Sequence, residues 1–338
     1  MRYSSRLFLY APLVVLAGLA LAAALLWHSV AGGLETALLR SNGHEIAPGV
    51  TLRFAHESIG GFPFNVDAVL DDATFEVRGA FGPARWHTEH FALHELTFGP
   101  AQQIYEAAGA QTLDWRDSSR RKHHFVFFPG SLQASAVSSH GRLVRFDLDI
   151  NGIGSREVTG ARLQLHFRKS PGHDAIDVVL SAEDLHLAPA LEAGFGPGLS
   201  QLFVQGVSVR AAPLADLFAG RQSWISALEK WRRNKGTFRV DRVDLRWGAV
   251  RAQGKGSVAL DDAHRAAGAL ELVITGVPDL KGAAPGDAHL AHALSQLTKV
   301  MPRRPLHVSA SIASGAVNLA ITRMPQTDVS AGTVGALY

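Results

Sequence analysis

The residues whose types and spacing invite chemistry form three groups, and the first is a run of imidazoles. His87-Thr88-Glu89-His90-Phe91-Ala92-Leu93-His94-Glu95 carries three histidines in eight positions. On a helix, offsets of three and seven bring His87, His90 and His94 to one face, where they could hold zinc for a hydrolysis. On a strand His90 and His94 share a side and His87 points the other way. The flanks Trp86, Phe91, Leu93, Leu96 and Phe98 suit a strand, so the expectation is a strand with incidental histidines and no metal site.

The second group is Arg120-Arg121-Lys122-His123-His124, set directly before Phe125-Val126-Phe127-Phe128. A cation beside an anionic lipid surface gains about 1 kcal/mol. Arg120, Arg121 and Lys122 are therefore candidate lipid-headgroup contacts, although a solvated turn before a buried strand is the favoured reading. Arg232-Arg233-Lys235 and Arg303-Arg304 are weaker cases, since basic residues at a helix C-terminus already have an electrostatic reason to be there.

The third group is two carboxylate pairs, Asp71-Asp72 and Asp261-Asp262. Adjacent residues of a strand face opposite ways, so neither pair converges on one substrate, and turns explain both. No P-loop, Rossmann glycine pattern, Gly-x-Ser-x-Gly elbow or His-Glu-x-x-His motif occurs. The chain has no cysteine, which excludes disulfides and thiolate chemistry. No catalytic, cofactor-binding or metal-binding residue is assigned, and the expectation is a protein that is not an enzyme.

The elements that would carry these groups begin with residues 7–27, a charge-free apolar stretch from Leu7 to Trp27. As a helix it spans roughly 32 Å, close to the ~30 Å hydrocarbon core. Arg2 and Arg6 precede it, so the positive-inside rule predicts a cytoplasmic N-terminus and a single pass, with the remainder outside the cytoplasm. A cleaved signal peptide, with Ser29-Val30-Ala31 as the processing site, is the competing reading, but its apolar region would normally be shorter. Setting Arg2 and Arg6 aside leaves 31 basic against 30 acidic residues, so no nucleic-acid partner is expected.

Past a short helical continuation over 33–40, stopped by Asn42-Gly43, the apolar period changes to two. Phe64, Val66, Ala68 and Leu70 alternate with polar residues, as do Val144, Phe146, Leu148 and Ile150. Leu163, Leu165 and Phe167, then Ile176, Val178 and Leu180, repeat the pattern. So do Val243, Leu245 and Trp247, then Leu270, Leu272 and Ile274, then Leu306, Val308, Ala310 and Ile312. One-sided alternation favours antiparallel meanders. Turns are expected at Asn151-Gly152, Pro171-Gly172, Gly254-Lys255-Gly256 and Asp261-Asp262.

Leu214, Leu217, Phe218, Trp224, Ile225, Leu228 and Trp231 predict one helical face, and Asp287 with Leu290, Leu294, Leu297 and Met301 predicts a second helix ended by Pro302. Residues 101–108 read as a third, short helix. The organisation read from this is 1–31 as cytoplasmic tip and anchor, 32–210 as a first β unit, and 211–338 as a helix with a second, related β unit.

Gly61-Phe62-Pro63-Phe64, the strand pair in 237–260 centred on Asp244-Leu245-Arg246-Trp247-Gly248, and the late strand in 306–319 carry a resemblance. Together they resemble an uncharacterised proteobacterial envelope family, domain-of-unknown-function family 2125, itself similar in architecture to AsmA-like proteins. The resemblance implies a bacterial inner-membrane anchor followed by a large, mainly β periplasmic domain, an antiparallel sheet curved into an apolar groove with a few packing helices. It also implies a role in cell-envelope maintenance, with lipid or another hydrophobic molecule as ligand. Gly61, Phe62, Pro63, Phe64, Trp247 and Gly248 are then structural motif residues, and no catalytic residue or cofactor is carried over. The alternative is a membrane-anchored scaffold with a filled core that binds another envelope protein.

Overall fold

The computed structural model describes residues 6–97, 102–117, 119–140, 142–188, 198–276, 305–313, 316–321 and 328–333. It opens with α1 (Arg6–Ser41), a single helix of 36 residues with Pro12 near its start, about 54 Å long at about 1.5 Å per residue. The continuation expected over 33–40 is part of it, and Gly43, at φ +80°, turns the chain out of the helix.

Among the described residues seventeen strands follow in one sheet. They are β1 (Glu45–Ala47), β2 (Val50–Arg53), β3 (His56–Gly60), β4 (Asn65–Gly79), β5 (Gly82–Leu96), β6 (Gln102–Arg116), β7 (Lys122–Ser139), β8 (Arg142–Ser155) and β9 (Val158–Lys169). After these come β10 (Ala175–Leu187), β11 (Gly198–Val209), α2 (Ala212–Phe218), α3 (Trp224–Arg233), β12 (Thr237–Trp247), β13 (Val250–Leu260) and β14 (Ala266–Thr275). The last described elements are β15 (Leu306–Ala313), β16 (Ala316–Ile321) and β17 (Asp328–Thr333). From β4 onward each strand pairs antiparallel with the next. β2 and β3 pair with successive halves of β4, and β1 with β2. The mainly β, antiparallel architecture expected from the alternation is what forms.

Several local expectations are overturned. Residues 101–108 are not a helix: from Gln102 the segment lies in β6, registered to β5 on one side and β7 on the other. Two ladders outweigh the weak helical preference of an Ala- and Gln-rich run. Asn151-Gly152 is no turn but an irregular stretch inside β8. Gly254-Lys255-Gly256 lies inside β13, where a Cβ on Gly254 would sit 2.2 Å from the Glu271 carbonyl oxygen of β14. These glycines permit close strand approach and do not reverse the chain. Turns do form at Pro171-Gly172 and Asp261-Asp262.

The single helical face drawn through Leu214 to Trp231 is split between two helices. Gly220, at φ +66°, ends α2, and Ser223 restarts the chain as α3 by accepting the Ser226 amide at 3.3 Å. Trp224 falls outside the packed stripe and is exposed, whereas Ala227, Leu228 and Trp231 are buried. The Trp231 indole donates to the Val209 carbonyl at 3.0 Å. β11 and β12 remain hydrogen-bonded to one another across the helical insertion, so the ladder is continuous where a boundary near 211–221 is expected. The stripe Leu290, Leu294, Leu297 and Met301 lies outside the described residues.

On the outer face, Arg162 donates to Asp149 from Nε at 2.9 Å and also from Nη2. That guanidinium holds the Asp149 carboxyl below its ordinary value. A lowered folded pKa means stability present above the unfolded value and lost as pH falls through the folded one. The D149N variant is therefore expected to be less stable than the parent above about pH 4, with the gap closing below it, as read by urea midpoints across that range.

Candidate functional site

The site is a face. In register, Leu70, Phe91, Ala107, Leu132, Ile150, Leu163, Ala182, Leu202, Leu245, Ala252, Ile274 and Leu306 stand each opposite the next from β4 to β15. Two residues along, a parallel row runs Ala68, Leu93, Tyr105, Ala134, Leu148, Leu165, Leu180, Val204, Val243, Gly254, Leu272 and Val308. Because the side-chain period is two, both rows lie on one side of the sheet. The row between them, on the other side, includes Glu106, Gln133, Asp149, Gln164, Ser181, Asp244 and Gln253. Several of these bond laterally, such as Gln133 Nε2 to Glu106 at 2.8 Å. One face is thus oily across twelve strands and the other mainly polar, although Phe203 and Val273 also lie on it and Asp244 is buried there.

The oily face is only partly covered by the described residues. At its start α1 packs Trp27 and Ala31 on Val66, with Leu34 and Ile59 beside them, and Leu38 against Leu52, Phe54, Leu70 and Ala73. Phe218 of α2 meets Phe167 with ring centroids 5.1 Å apart. Between these covers lie two open cavities. One, of about 600 Å³, is lined by Leu38, Leu52, Ala68, Leu70, Phe75, Phe91, Leu93 and Tyr105. The other, of about 440 Å³, is lined by Tyr105, Ala136, Leu143, Phe146 and Phe218. Tyr105 borders both, so they form one trough. Leu148, Leu165, Leu180, Val204 and Val243, further along the second row, are half-buried, whereas Leu132, Ile150, Ala182, Ala252 and Ile274 of the first row are buried. Burial, with the nearby Glu95 charge adding to it, pushes the Tyr105 phenol up.

A buried polar knot interrupts the apolar surface near a β5 irregularity between Thr88 and His90. The Trp86 indole donates to Gln111 Oε1 at 2.9 Å, and Gln111 Nε2 donates to Thr88 Oγ1 at 2.9 Å. Thr88 and Gln111 are fully buried. Sequence reasoning missed this knot, since lone Thr and Gln residues carry no periodic signal. Replacing Gln111 by leucine strands the Trp86 N–H and is expected to cost about 1–3 kcal/mol, measurable by chemical denaturation.

The same irregularity corrects the histidine geometry. Phe75, Trp86 and Phe91 cluster on the oily side, which leaves both His87 and His90 on the wet side with His94. Asp71 and Asp72 likewise both face outward, because Asp72 takes φ +52° inside β4 and shifts the alternation. They lie in a strand, so no turn explains them. His90 Nδ1 lies 2.8 Å from Asp71, His94 Nδ1 2.8 Å from Asp67, and His87 Nε2 3.7 Å from Asp72. Each imidazole has its own carboxylate, and no metal-like group converges among the described residues.

Arg120, Arg121 and Lys122 are exposed in the β6–β7 turn. The Asp117 carboxylate beside them, held below its ordinary value by its hydrogen bond from His123 at 2.9 Å, accepts the Arg121 amide. Register puts this turn at the opposite end of β6 from Gln103, which pairs with Glu95 and so sits level with Val66. The separation along the strand is roughly 45 Å. Gly61-Phe62-Pro63-Phe64 forms the β3–β4 connection, with Gly61 at φ +92° and a cis Phe62-Pro63 bond. Phe62 meets Trp27 edge-on at 5.4 Å, and the Trp27 indole donates to the Asn65 carbonyl at 2.6 Å. Trp247 and Gly248 make the β12–β13 hairpin, where Gly248 takes φ +55° and donates its amide to Gly198.

A family model described as an uncharacterized protein conserved in bacteria, DUF2125, matches residues 27–327. No curated protein and no solved structure matches the chain.

Proposed function

The chain belongs to DUF2125, a family of uncharacterized bacterial proteins, and we propose that it is an inner-membrane-anchored envelope protein whose periplasmic sheet holds lipid or another hydrophobic ligand in its trough. The observation that carries this reading is the pair of apolar rows running in register across twelve strands, with open cavities of about 600 and 440 Å³ among the described residues at their β4–β8 end. Concave, mainly apolar cavities of that size are the usual form of a hydrophobic-ligand site. The AsmA-like architecture that the resemblance of the sequence implies would offer a parallel.

The anchor is supported by α1 itself. Leu13, Val14, Leu16, Leu19, Leu21 and Leu25 are all exposed, unlike the side chains of a soluble core helix. Arg2 and Arg6, before its charge-free apolar stretch, favour a cytoplasmic N-terminus. Processing after Ala31 would cut α1 in mid-helix and remove Trp27 and Ala31, which are buried against the sheet. An intact N-terminus in the mature protein, read by mass spectrometry, is the expected outcome. Arg120, Arg121 and Lys122 lie at the end of β6 far from the Trp27 contact, and they remain candidates for anionic headgroups.

Ligand binding is tested by a photoreactive residue at Leu165, on the oily face, and at Gln164, its neighbour on the wet one. Lipid adducts at 165 and none at 164 support the trough. Equal labelling, or protein adducts alone at 165, would sink it, and the latter would point to a scaffold.

A further inference from the structure

The β3–β4 connection leaves two aromatic rings in the open. Phe62 is 56% and Phe64 71% exposed. Leu96, paired with Asn65 across the ladder, is 49% exposed. The Phe64 carbonyl accepts the Thr97 amide at 2.9 Å, so the three apolar side chains share one corner of the sheet. No charged residue lies between Gly60 and Val66. Packing explains Phe62 only in part, through its edge contact with Trp27, and gives Phe64 no reason to be aromatic.

Position supplies the reason. Trp27 is the last residue of the charge-free stretch of α1, and the neighbouring Leu26 and Val30 are exposed as well. The corner is therefore continuous with the apolar surface of the helix at the level where the helix would leave a bilayer. Aromatic rings favour that boundary, where an apolar body and a wet edge are both served.

We propose that Phe62, Phe64 and Leu96 form a second membrane contact, seated in the headgroup–acyl boundary of the bilayer that α1 crosses. This rests on the anchor reading above. A lone helix lets the sheet swivel about its axis. A second contact beside it fixes the orientation of the sheet and holds the α1 end of the trough at a constant height over the lipid.

The absence of cysteine makes the test direct. Full-length protein is placed in phosphatidylcholine vesicles with an environment-sensitive fluorophore on a single cysteine at F64C, L96C, F128C or L16C. Phe128 is a comparably exposed aromatic elsewhere in the sheet, and Leu16 lies within α1. With lipids carrying quenchers near the headgroup, the labels at 64 and 96 are expected to shift to the blue and lose emission, while 128 stays water-like. The label at 16 is expected to be quenched by deep-placed quenchers. If 16 is quenched but 64 and 96 behave as 128 does, the second contact is overturned while the anchor stands. If 16 also escapes, the anchor reading falls and takes this inference with it.

Discussion

Aspartate at both Leu165 and Leu180 is expected to empty the trough of lipid while leaving the sheet folded. The two residues stand directly opposite one another in the middle of the second apolar row. Both are half-buried, so the new carboxylates keep access to water and the ladder survives. Like charges in direct register cost on the order of 0.2–1 kcal/mol, small beside the stability of a domain. An acyl chain laid across them would have to desolvate two carboxylates without a partner, which is far more costly. A photoreactive residue at Leu148, next in the row, should therefore lose lipid adducts by about tenfold or more, equivalent to about 1.4 kcal/mol. Unchanged circular dichroism would show the sheet intact, and undiminished adducts would mean that lipid lies elsewhere.

The second large effect is expected at Trp27. Truncation to alanine removes a buried ring from the contact with Ala31, Val66, Leu34 and Ile59, together with its edge contact to Phe62 and its hydrogen bond to Asn65. Losing a buried aromatic of this kind costs about 3–5 kcal/mol. The damage should stay local, because β5 to β15 are held by their own ladders. Amide exchange should quicken across 59–66 and stay slow in β8 to β11. Trp27→Phe should recover the packing but not the hydrogen bond, giving intermediate exchange. Protection over 59–66 that the alanine variant leaves unchanged would show that Trp27 is not what joins helix to sheet.

The face of the sheet was readable in advance because its signal is strictly local. Residues such as Leu163, Leu165 and Phe167 declare their side by alternation, and hydrogen bonding then aligns them with Leu180 and Ala182 of the next strand. The alternation fails where the backbone breaks its own period. At Asp72, φ +52° inside β4, one residue out of step turns Asp71 and Asp72 to the same side, and nothing in the sequence marks it. The irregularity at Thr88–His90 likewise puts His87 beside His90.

Residues 102–108 misled for a different reason. A run of Gln, Ala and Glu favours a helix by itself, and only the neighbouring strands, distant in sequence at Ser135 and Ala136, make it β. The candidate site was half legible. Its apolar side was plain from the one-sided strands, but whether anything covered that side depended on where α1 and α2 pack. The Arg120-Arg121-Lys122 cluster was conspicuous in sequence, yet its place at the far end of β6 from Gln103 follows only from register.

From β4 on, every strand bonds to its immediate neighbours along the chain. A meander of this kind has nearest-neighbour energetics much like a repeat protein. Removing or inserting a whole hairpin keeps the polarity of every remaining strand and rewires nothing. Each inserted hairpin would widen the oily surface by roughly 10 Å at about 4.8 Å per strand. The capacity of the trough is thus an adjustable quantity, set by how many hairpins the gene encodes and by no geometric closure condition of the kind that fixes a barrel.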